Sequence, residues 1–157
     1  MQVRRANGRD ADTIAKLAQA NARESGAVTA LDTDRLKVHA FSQNPLIECY
    51  LAESRPGRPA GHAIVSKGYD LRRATATLVV SDLYVVPEHR RDGVARLLIS
   101  AIAKRAMELG SREITITTGV GDEVARKFFS AIGAQESQAL VFMMTGDSIE
   151  WLASETR

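Results

Sequence analysis

The chain has 157 residues and nearly balanced charge, with 21 Lys and Arg against 19 Asp and Glu and a formal net charge of +2. This length fits a single domain over residues 1–157 that can bury its own core. The small net charge does not indicate a nucleic-acid-binding protein. No segment approaches the roughly 20 apolar residues of a membrane helix, and the start lacks a secretory signal. We therefore expect a soluble, cytoplasmic protein.

The first half of the sequence predicts a strand, two helices and a pair of strands. Asp10 is a suitable N-cap for a helix that ends near Gly26, and Pro45 ends a second helical pattern. The expected elements are the strand Gln2–Arg5, helices from Asp10 to Gly26 and from Thr33 to Ser42, and the strands Leu46–Glu53 and Gly61–Lys67.

The second half alternates strands with helices that have a clear 3.6-residue period. The expected elements are the strand Thr75–Val86, a helix from Val94 to Leu109, the strand Glu113–Thr118, a helix from Val124 to Ile132, the strand Ser137–Thr145 and a final turn Ile149–Ala153. A right-handed crossover within 75–118 would make its two strands parallel. The pattern predicts an α/β fold with a mixed, mostly antiparallel central sheet of about six to seven strands and helices on both faces.

The loop before the long central helix carries an anion-binding pattern. A helix N-terminus offers unpaired amides and a favourable dipole. Gly93 and Ala95 keep side-chain bulk low there, and Arg90, Arg91 and Arg96 add positive charge. We therefore predict a diphosphate-binding loop, although the arginines are also compatible with ordinary solvated surface. The glycine-rich dinucleotide and Walker patterns are absent from the sequence.

A resemblance to the acetyl-CoA motif of the GNAT superfamily of N-acetyltransferases lies in Leu83-Tyr84-Val85-x-Pro87 followed by Arg90-x-x-Gly93-x-Ala95. A second motif of that family is similar to Asp122-x-x-Ala125-x-x-Phe128-Phe129-x-x-x-Gly133-Ala134. The two motifs cover about the last half of the chain. The first half agrees with the family only in the order of its elements.

The resemblance implies acetyl-CoA as co-substrate. It implies that the strand Leu83–Val85 separates from its neighbour after Glu113 and that pantetheine pairs with the exposed backbone. The amides from Arg91 to Arg96 would contact the pyrophosphate. The cofactor-binding residues implied in this way are Leu83, Tyr84, Val85, Arg90, Arg91, Asp92, Gly93, Val94, Ala95, Arg96, Asp122 and Phe129.

Two positions depart from the family pattern. Phe129 stands where many relatives carry a tyrosine that protonates the leaving thiolate, and Ser81-Asp82 stands where polyamine-type relatives carry Glu-Asp. Asp82 is then the candidate catalytic base for direct attack by the amine, with a structural role as the equal alternative. The chain has a partial likeness to small-amine acetyltransferases, and to aminoglycoside 3-N-acetyltransferases at Asp82-Leu83, 88–91 and Asp122.

The expected acceptor is a primary amine of a small cationic molecule. The family builds its acceptor wall from residues equivalent to about 25–44, and nearby acids that would suit a cation are Glu24, Asp32, Asp34 and Glu48. These acids are equally compatible with solvated surface. Two alternatives are a non-catalytic acyl-CoA-binding module and acetylation of a protein or peptide amine. We expect neither nucleic acid nor membrane as a partner.

The remaining reactive side chains indicate no metal and no cysteine chemistry. His39, His62 and His89 are dispersed without metal-ligand spacing, so we expect no metal site and a structural role for His62. Cys49 is expected to be buried and inert. A homodimer through the last strands is a further expectation, with 142–144 either in such an interface or in a buried central strand.

Overall fold

The computed structural model describes residues 1–155. It contains two compact units, one of Met1–Gly119 and one that begins at Val120. The strands are β1 (Gln2–Arg5), β2 (Ile47–Arg55), β3 (Arg58–Asp70), β4 (Thr75–Val85) and β5 (Ile114–Ile116). The helices of the first unit are α1 (Ala11–Glu24), α2 (Thr33–Phe41) and α3 (Val94–Glu108), and those of the second are α4 (Glu123–Ala131) and α5 (Gly146–Ser154). No helix within residues 1–155 is long and apolar enough to cross a bilayer.

The five strands form one sheet in the order β1-β2-β3-β4-β5. The first three pairings are antiparallel, and the β4–β5 pairing is parallel, as the crossover through α3 predicts. The mixed, mostly antiparallel sheet is therefore confirmed. The expected count of six to seven strands is wrong, because residues 1–155 contain five strands in this sheet.

The expected last strand, 137–145, is the element that does not form. These residues are exposed and lie outside regular secondary structure, and Phe142 is 90% exposed. The interpretation of 142–144 as part of a buried central strand is therefore wrong. An apolar, β-prone run indicates that a segment can pair, but the pairing itself depends on tertiary context.

The sheet of the first unit carries helices on both faces, as expected. One core lies under α3, where Leu98 and Ile102 are fully buried against β2, β3 and β4. The other core lies under α1 and α2, where Ile14 and Leu36 are fully buried against the opposite side chains of the same strands. Strand side chains alternate between the two faces, so successive buried residues of a regular strand face opposite cores.

A β-bulge at Ser81 changes which face the second half of β4 presents. Ile64 lies opposite Asp82, while the next residue, Val65, lies opposite Val80, so that Ser81 is the additional residue in β4. Val80 belongs to the core under α3. Without the bulge, Asp82 would share the face of Val80. With it, Asp82 faces α1.

Glu48 lies on the α3 face and is bound there by three cations. Its carboxylate accepts hydrogen bonds from Arg105 at 3.0 and 3.1 Å and lies 3.3 Å from both Arg5 and Lys67. Burial alone would raise the pKa of Glu48, but Arg105 and Arg5 more than offset it, so that the pKa lies below its usual range. The expectation that Glu48 contributes to an acceptor wall beside α1 and α2 is therefore wrong, because strand alternation turns it to the other face.

The close approach of β3 and β4 at Gly61 generates a prediction about stability. A Cβ at Gly61 would collide with the carbonyl oxygen of Tyr84 in the neighbouring strand. We expect Gly61→Ala to lower the free energy of unfolding by about 1–3 kcal/mol, measured by urea denaturation. Gly8→Ala is the matched control, since its Cβ would make an ordinary contact of 3.9 Å with Phe41. Equal stability of the two variants would contradict the packing argument.

Candidate active site

The carboxylate of Asp82 is held by two hydrogen-bond donors from two other elements. His62 Nε2 on β3 lies 2.8 Å from Asp82 Oδ2, and the Asn21 side-chain amide on α1 donates to Oδ1. His62 is fully buried, whereas 21% of the Asp82 side chain is exposed. An ionised carboxylate has about four acceptor positions. Asp82 therefore keeps acceptor capacity on its exposed side while both of its oxygens are held in place.

The surroundings of the two ring nitrogens of His62 indicate which of them carries a proton. Within residues 1–155, the buried Nδ1 atom has no hydrogen-bond partner. A proton on Nδ1 would be a buried donor without an acceptor, which is costly. A proton therefore lies on Nε2, which donates a hydrogen bond to Asp82. Because the His62 ring is buried and fixed, its hydrogen bond restricts the orientation of the Asp82 carboxylate.

A cavity of about 390 Å³ opens between α1, the α1–α2 connection and the bulge in β4. This volume is in the range of small-molecule sites. Its lining residues are Ala18, Asn21, Ala22, Ser25, Ala27, Val28, Thr29, Leu31, Ile47, Ile64, Ser81 and Asp82. The connection 25–31, which lies within the region expected to form the acceptor wall, supplies five of them. Of the acids expected in that wall, Glu24, Asp32 and Asp34 do not line this cavity in the described part of the chain.

Glu24 instead joins the end of α1 to the loop that follows β4. The Tyr84 hydroxyl donates a hydrogen bond of 2.6 Å to one Glu24 oxygen, and the Arg90 guanidinium forms an ion pair with the other. Arg90 Nε also donates to the carbonyl oxygen of Val85 at 3.0 Å, and its guanidinium lies 5.8 Å from the Tyr84 ring centroid. The Tyr84 hydrogen bond and then Arg90 lower the pKa of Glu24. The guanidinium of Arg90 is thus bound within the protein.

The loop before α3 exposes a helix N-terminus together with two arginines. Arg91 and Gly93 adopt the left-handed conformation, with φ of 70° and 80°. Gly93 is the N-cap, and α3 begins at the buried Val94. Arg91, Asp92, Gly93 and Arg96 are exposed. The first-turn amides have no intrahelical partners, and the helix dipole favours an anion there. The arrangement is chemically suited to a phosphate or diphosphate group.

The end of β4 that leads into this loop, residues 81–85, is paired on one side only among the described residues. β5 lies opposite residues 78–80 of β4, and within the described chain no residue of β5 lies opposite 81–85. On the other side, Leu83 and Val85 pair with β3. This agrees with the expected separation of the two strands. Unpaired backbone groups on a strand edge can hydrogen-bond an extended ligand.

The two remaining predicted site residues belong to the second unit. Asp122 is the N-cap of α4, and its side chain accepts a hydrogen bond of 2.9 Å from the Ala125 amide. Phe129 lies on α4 and is partly buried, with its ring centroid 5.1 Å from that of Phe128. A role for Asp122 and Phe129 in cofactor binding stays a prediction.

Two residues of the candidate site, His62 and Asn21, are not marked as site residues by the sequence. His62 was assigned a structural role, and Asn21 was not singled out. Each contacts Asp82 from a distant part of the chain, and no local pattern marks either contact. The position of His62 opposite Tyr84 in the β3–β4 register, together with the bulge, is what brings its ring to Asp82.

The single cysteine is buried, as expected. Cys49 is 1% exposed, and burial raises the pKa of its thiol to about 12. The thiol is therefore neutral at physiological pH and a poor nucleophile. Among residues 1–155, the structure has no group of three or more His, Cys, Asp and Glu side chains placed to hold a metal ion.

A mixed sheet whose fourth strand is unpaired on one side at 81–85, followed by the exposed N-terminus of α3, agrees with the acetyltransferase class that the sequence motifs predict. The family model described as the acetyltransferase (GNAT) family matches residues 13–134. The chain therefore belongs to this family. A crystal structure described as that of a probable acetyltransferase has the same fold, with a TM-score of 0.81 and 22% identity over 93% of this chain and 97% of that one.

Two named relatives are similar to parts of the chain. A bovine thialysine N-epsilon-acetyltransferase is 28% identical over 112 residues, which cover 68% of this chain and 66% of that protein. An aminoglycoside N(6′)-acetyltransferase type 1 from Salmonella typhimurium is 26% identical over 69 residues, which cover 44% of this chain and 48% of that protein. The chain thus spans about two thirds and about half of their lengths. The expected likeness to small-amine and aminoglycoside acetyltransferases is confirmed, although the matched aminoglycoside enzyme is named for the 6′ position.

The contact between Tyr84 and Glu24 predicts a measurable change in titration. We expect Tyr84→Phe to raise the pKa of Glu24, because the largest cause of its lowering is the Tyr84 hydrogen bond. The measurement is a carboxyl NMR titration of Glu24. In the native protein the lowered pKa stabilises the fold above the unfolded-state pKa of Glu24, and this contribution is lost as the pH falls through the folded pKa. Tyr69→Phe, an exposed tyrosine on β3, should leave the titration unchanged. An unshifted Glu24 in Tyr84→Phe would contradict the assignment.

Proposed function

We propose that this protein is an N-acetyltransferase that transfers the acetyl group of acetyl-CoA to a primary amine of a small cationic molecule. The observation that carries the proposal is the Asp82 carboxylate, held by His62 and Asn21 at the wall of the cavity. Asp82 lies in the part of β4 whose backbone is unpaired on one side and open to a ligand. The end of β4 leads into the loop before α3, to which we assign anion binding.

The exposed part of the loop supports binding of the cofactor diphosphate. The amides from Arg91 to Arg96 and the guanidinium groups of these two arginines would contact the pyrophosphate, and the backbone of Leu83 and Val85 would pair with pantetheine. When bound, acetyl-CoA supplies an activated thioester carbonyl. Because Glu24 and the Val85 carbonyl bind the side chain of Arg90, we assign Arg90 to positioning the loop rather than to direct phosphate contact.

Asp82 would bind the acceptor ammonium and remove its proton. An alkyl ammonium has a pKa of about 10.4, so at neutral pH it must lose a proton before it can attack. The exposed side of Asp82 can accept that proton directly or through one water. The amine nitrogen would then bond to the carbonyl carbon, the carbon–sulfur bond would break, and the nitrogen would release its second proton to solvent to give the neutral amide. Phe129 offers no proton, so the departing thiolate takes one from solvent.

His62 and Asn21 would act as positioning residues for this base. Each donates to a different oxygen of the carboxylate, which leaves only the exposed acceptor positions for substrate. This arrangement favours an enzyme over the alternative of a non-catalytic acyl-CoA-binding module. The cavity favours a small molecule over a protein or peptide amine, which remains the second alternative.

Three further predictions concern the domain organisation, the oligomeric state and the location of the protein. The family model extends across the boundary between Gly119 and Val120, which supports the prediction that residues 1–157 act as a single domain. The homodimer and the cytoplasmic location stay predictions.

Replacing the proposed base tests the chemistry. We expect Asp82→Asn to lower kcat at pH 7 by at least about 100-fold. The kcat of the variant should recover as the pH rises toward the pKa of the amine, because the free amine no longer needs a base. Thiol release from acetyl-CoA against a panel of primary amines gives the pH–rate profile. Asp34→Asn, a fully solvated carboxylate on α2, is the control. An unchanged profile in Asp82→Asn would exclude Asp82 as the base.

The cofactor assignment is tested at the two exposed arginines. We expect Arg91→Gln and Arg96→Gln each to weaken acetyl-CoA binding by about tenfold, with a smaller salt dependence, because each loses one cation near the diphosphate. Isothermal titration calorimetry measures the affinity, and the exposed Arg112→Gln serves as control. Acetylpantetheine lacks the diphosphate, so its affinity should not change. Equal losses for both ligands would argue against diphosphate binding at this loop.

A further inference from the structure

The charges around the cavity indicate a narrower class of acceptor amine than membership of the family does. Among the lining residues that the described chain supplies, Asp82 carries the only charged side chain. Much of the remaining wall is aliphatic, including Val28, Leu31, Ile47 and Ile64. The site therefore has one position for a cation and a largely apolar surface for the rest of the molecule.

Of the four acids expected near this wall, Asp32 and Asp34 do not line the cavity in the described part of the chain, and Glu24 and Glu48 are held by cations. Glu24 is neutralised by Arg90 and hydrogen-bonded by Tyr84. Glu48 lies on the opposite face of the sheet with three cations around it. A second ammonium in the cavity would lose water without gaining a partner, which costs free energy.

We infer that the acceptor is a primary monoamine with an uncharged, largely apolar body, rather than a polyamine or an aminosugar with several ammonium groups. This inference rests on the proposed function and names the substrate class of the same site. The single ammonium binds Asp82, and the body of the molecule lies against Val28, Leu31 and Ile47. The selectivity arises because every additional charge is left unpaired in the cavity.

Two amines of equal length test the inference. Pentylamine and 1,5-diaminopentane differ in one ammonium group and are assayed separately by thiol release from acetyl-CoA. We expect kcat/KM for pentylamine to exceed that for the diamine by at least about tenfold. Equal or faster turnover of the diamine would overturn the inference and leave the proposed function intact. Absence of turnover with both amines would overturn the proposed function as well.

A designed second acid gives an independent test. Val28 lines the cavity and is 99% exposed, so Val28→Asp should fold normally. We expect Val28→Asp to raise the ratio of kcat/KM for the diamine to kcat/KM for pentylamine by at least about threefold. Val28→Asn introduces the neutral isostere of Asp and should leave this ratio near that of the native protein. The same change in both variants would show that charge at this wall does not select the acceptor, and would overturn the inference.

Discussion

The bulge at Ser81 is the local irregularity on which the candidate site depends, because it decides the face on which Asp82 lies. Strand alternation would otherwise place Asp82 with Val80 in the core under α3. The additional residue turns Asp82 toward α1, where the buried His62 and the side chain of Asn21 donate to its two oxygens. A single inserted residue in one strand thus converts a core position into a polar site at the wall of a cavity.

The same half of β4 links the cavity to the loop before α3. Tyr84 reaches Glu24 at the end of α1, and Glu24 binds Arg90 in the loop before α3. Asn21 in that last turn of α1 and Ser25 directly after it line the cavity. The loop that we assign to the diphosphate and the wall that we assign to the amine therefore share one hydrogen-bonded connection.

Much of the first unit could be predicted because its signals are local. The long helical period of α3, the glycine at its N-cap and the β-branched run of β4 are each contained in a short stretch of sequence. Gly93 was identified for its small size, whereas the structure shows that its left-handed conformation is the feature that requires glycine. The prediction of the strand 137–145 failed because an apolar run does not specify its own partner.

The sequence alone determined the order of the elements up to α4, the parallel β4–β5 pairing and the loop of arginines at a helix N-terminus, since these follow from periodicity, chain direction and local charge. Tertiary structure decided which groups meet. Asn21, His62 and Asp82 come from three elements, Glu24 and Arg90 are 66 residues apart, and Glu48 faces away from the cavity. Strand register and the bulge set these contacts, and neither can be read from residue types along the chain, because both depend on the relative placement of distant segments.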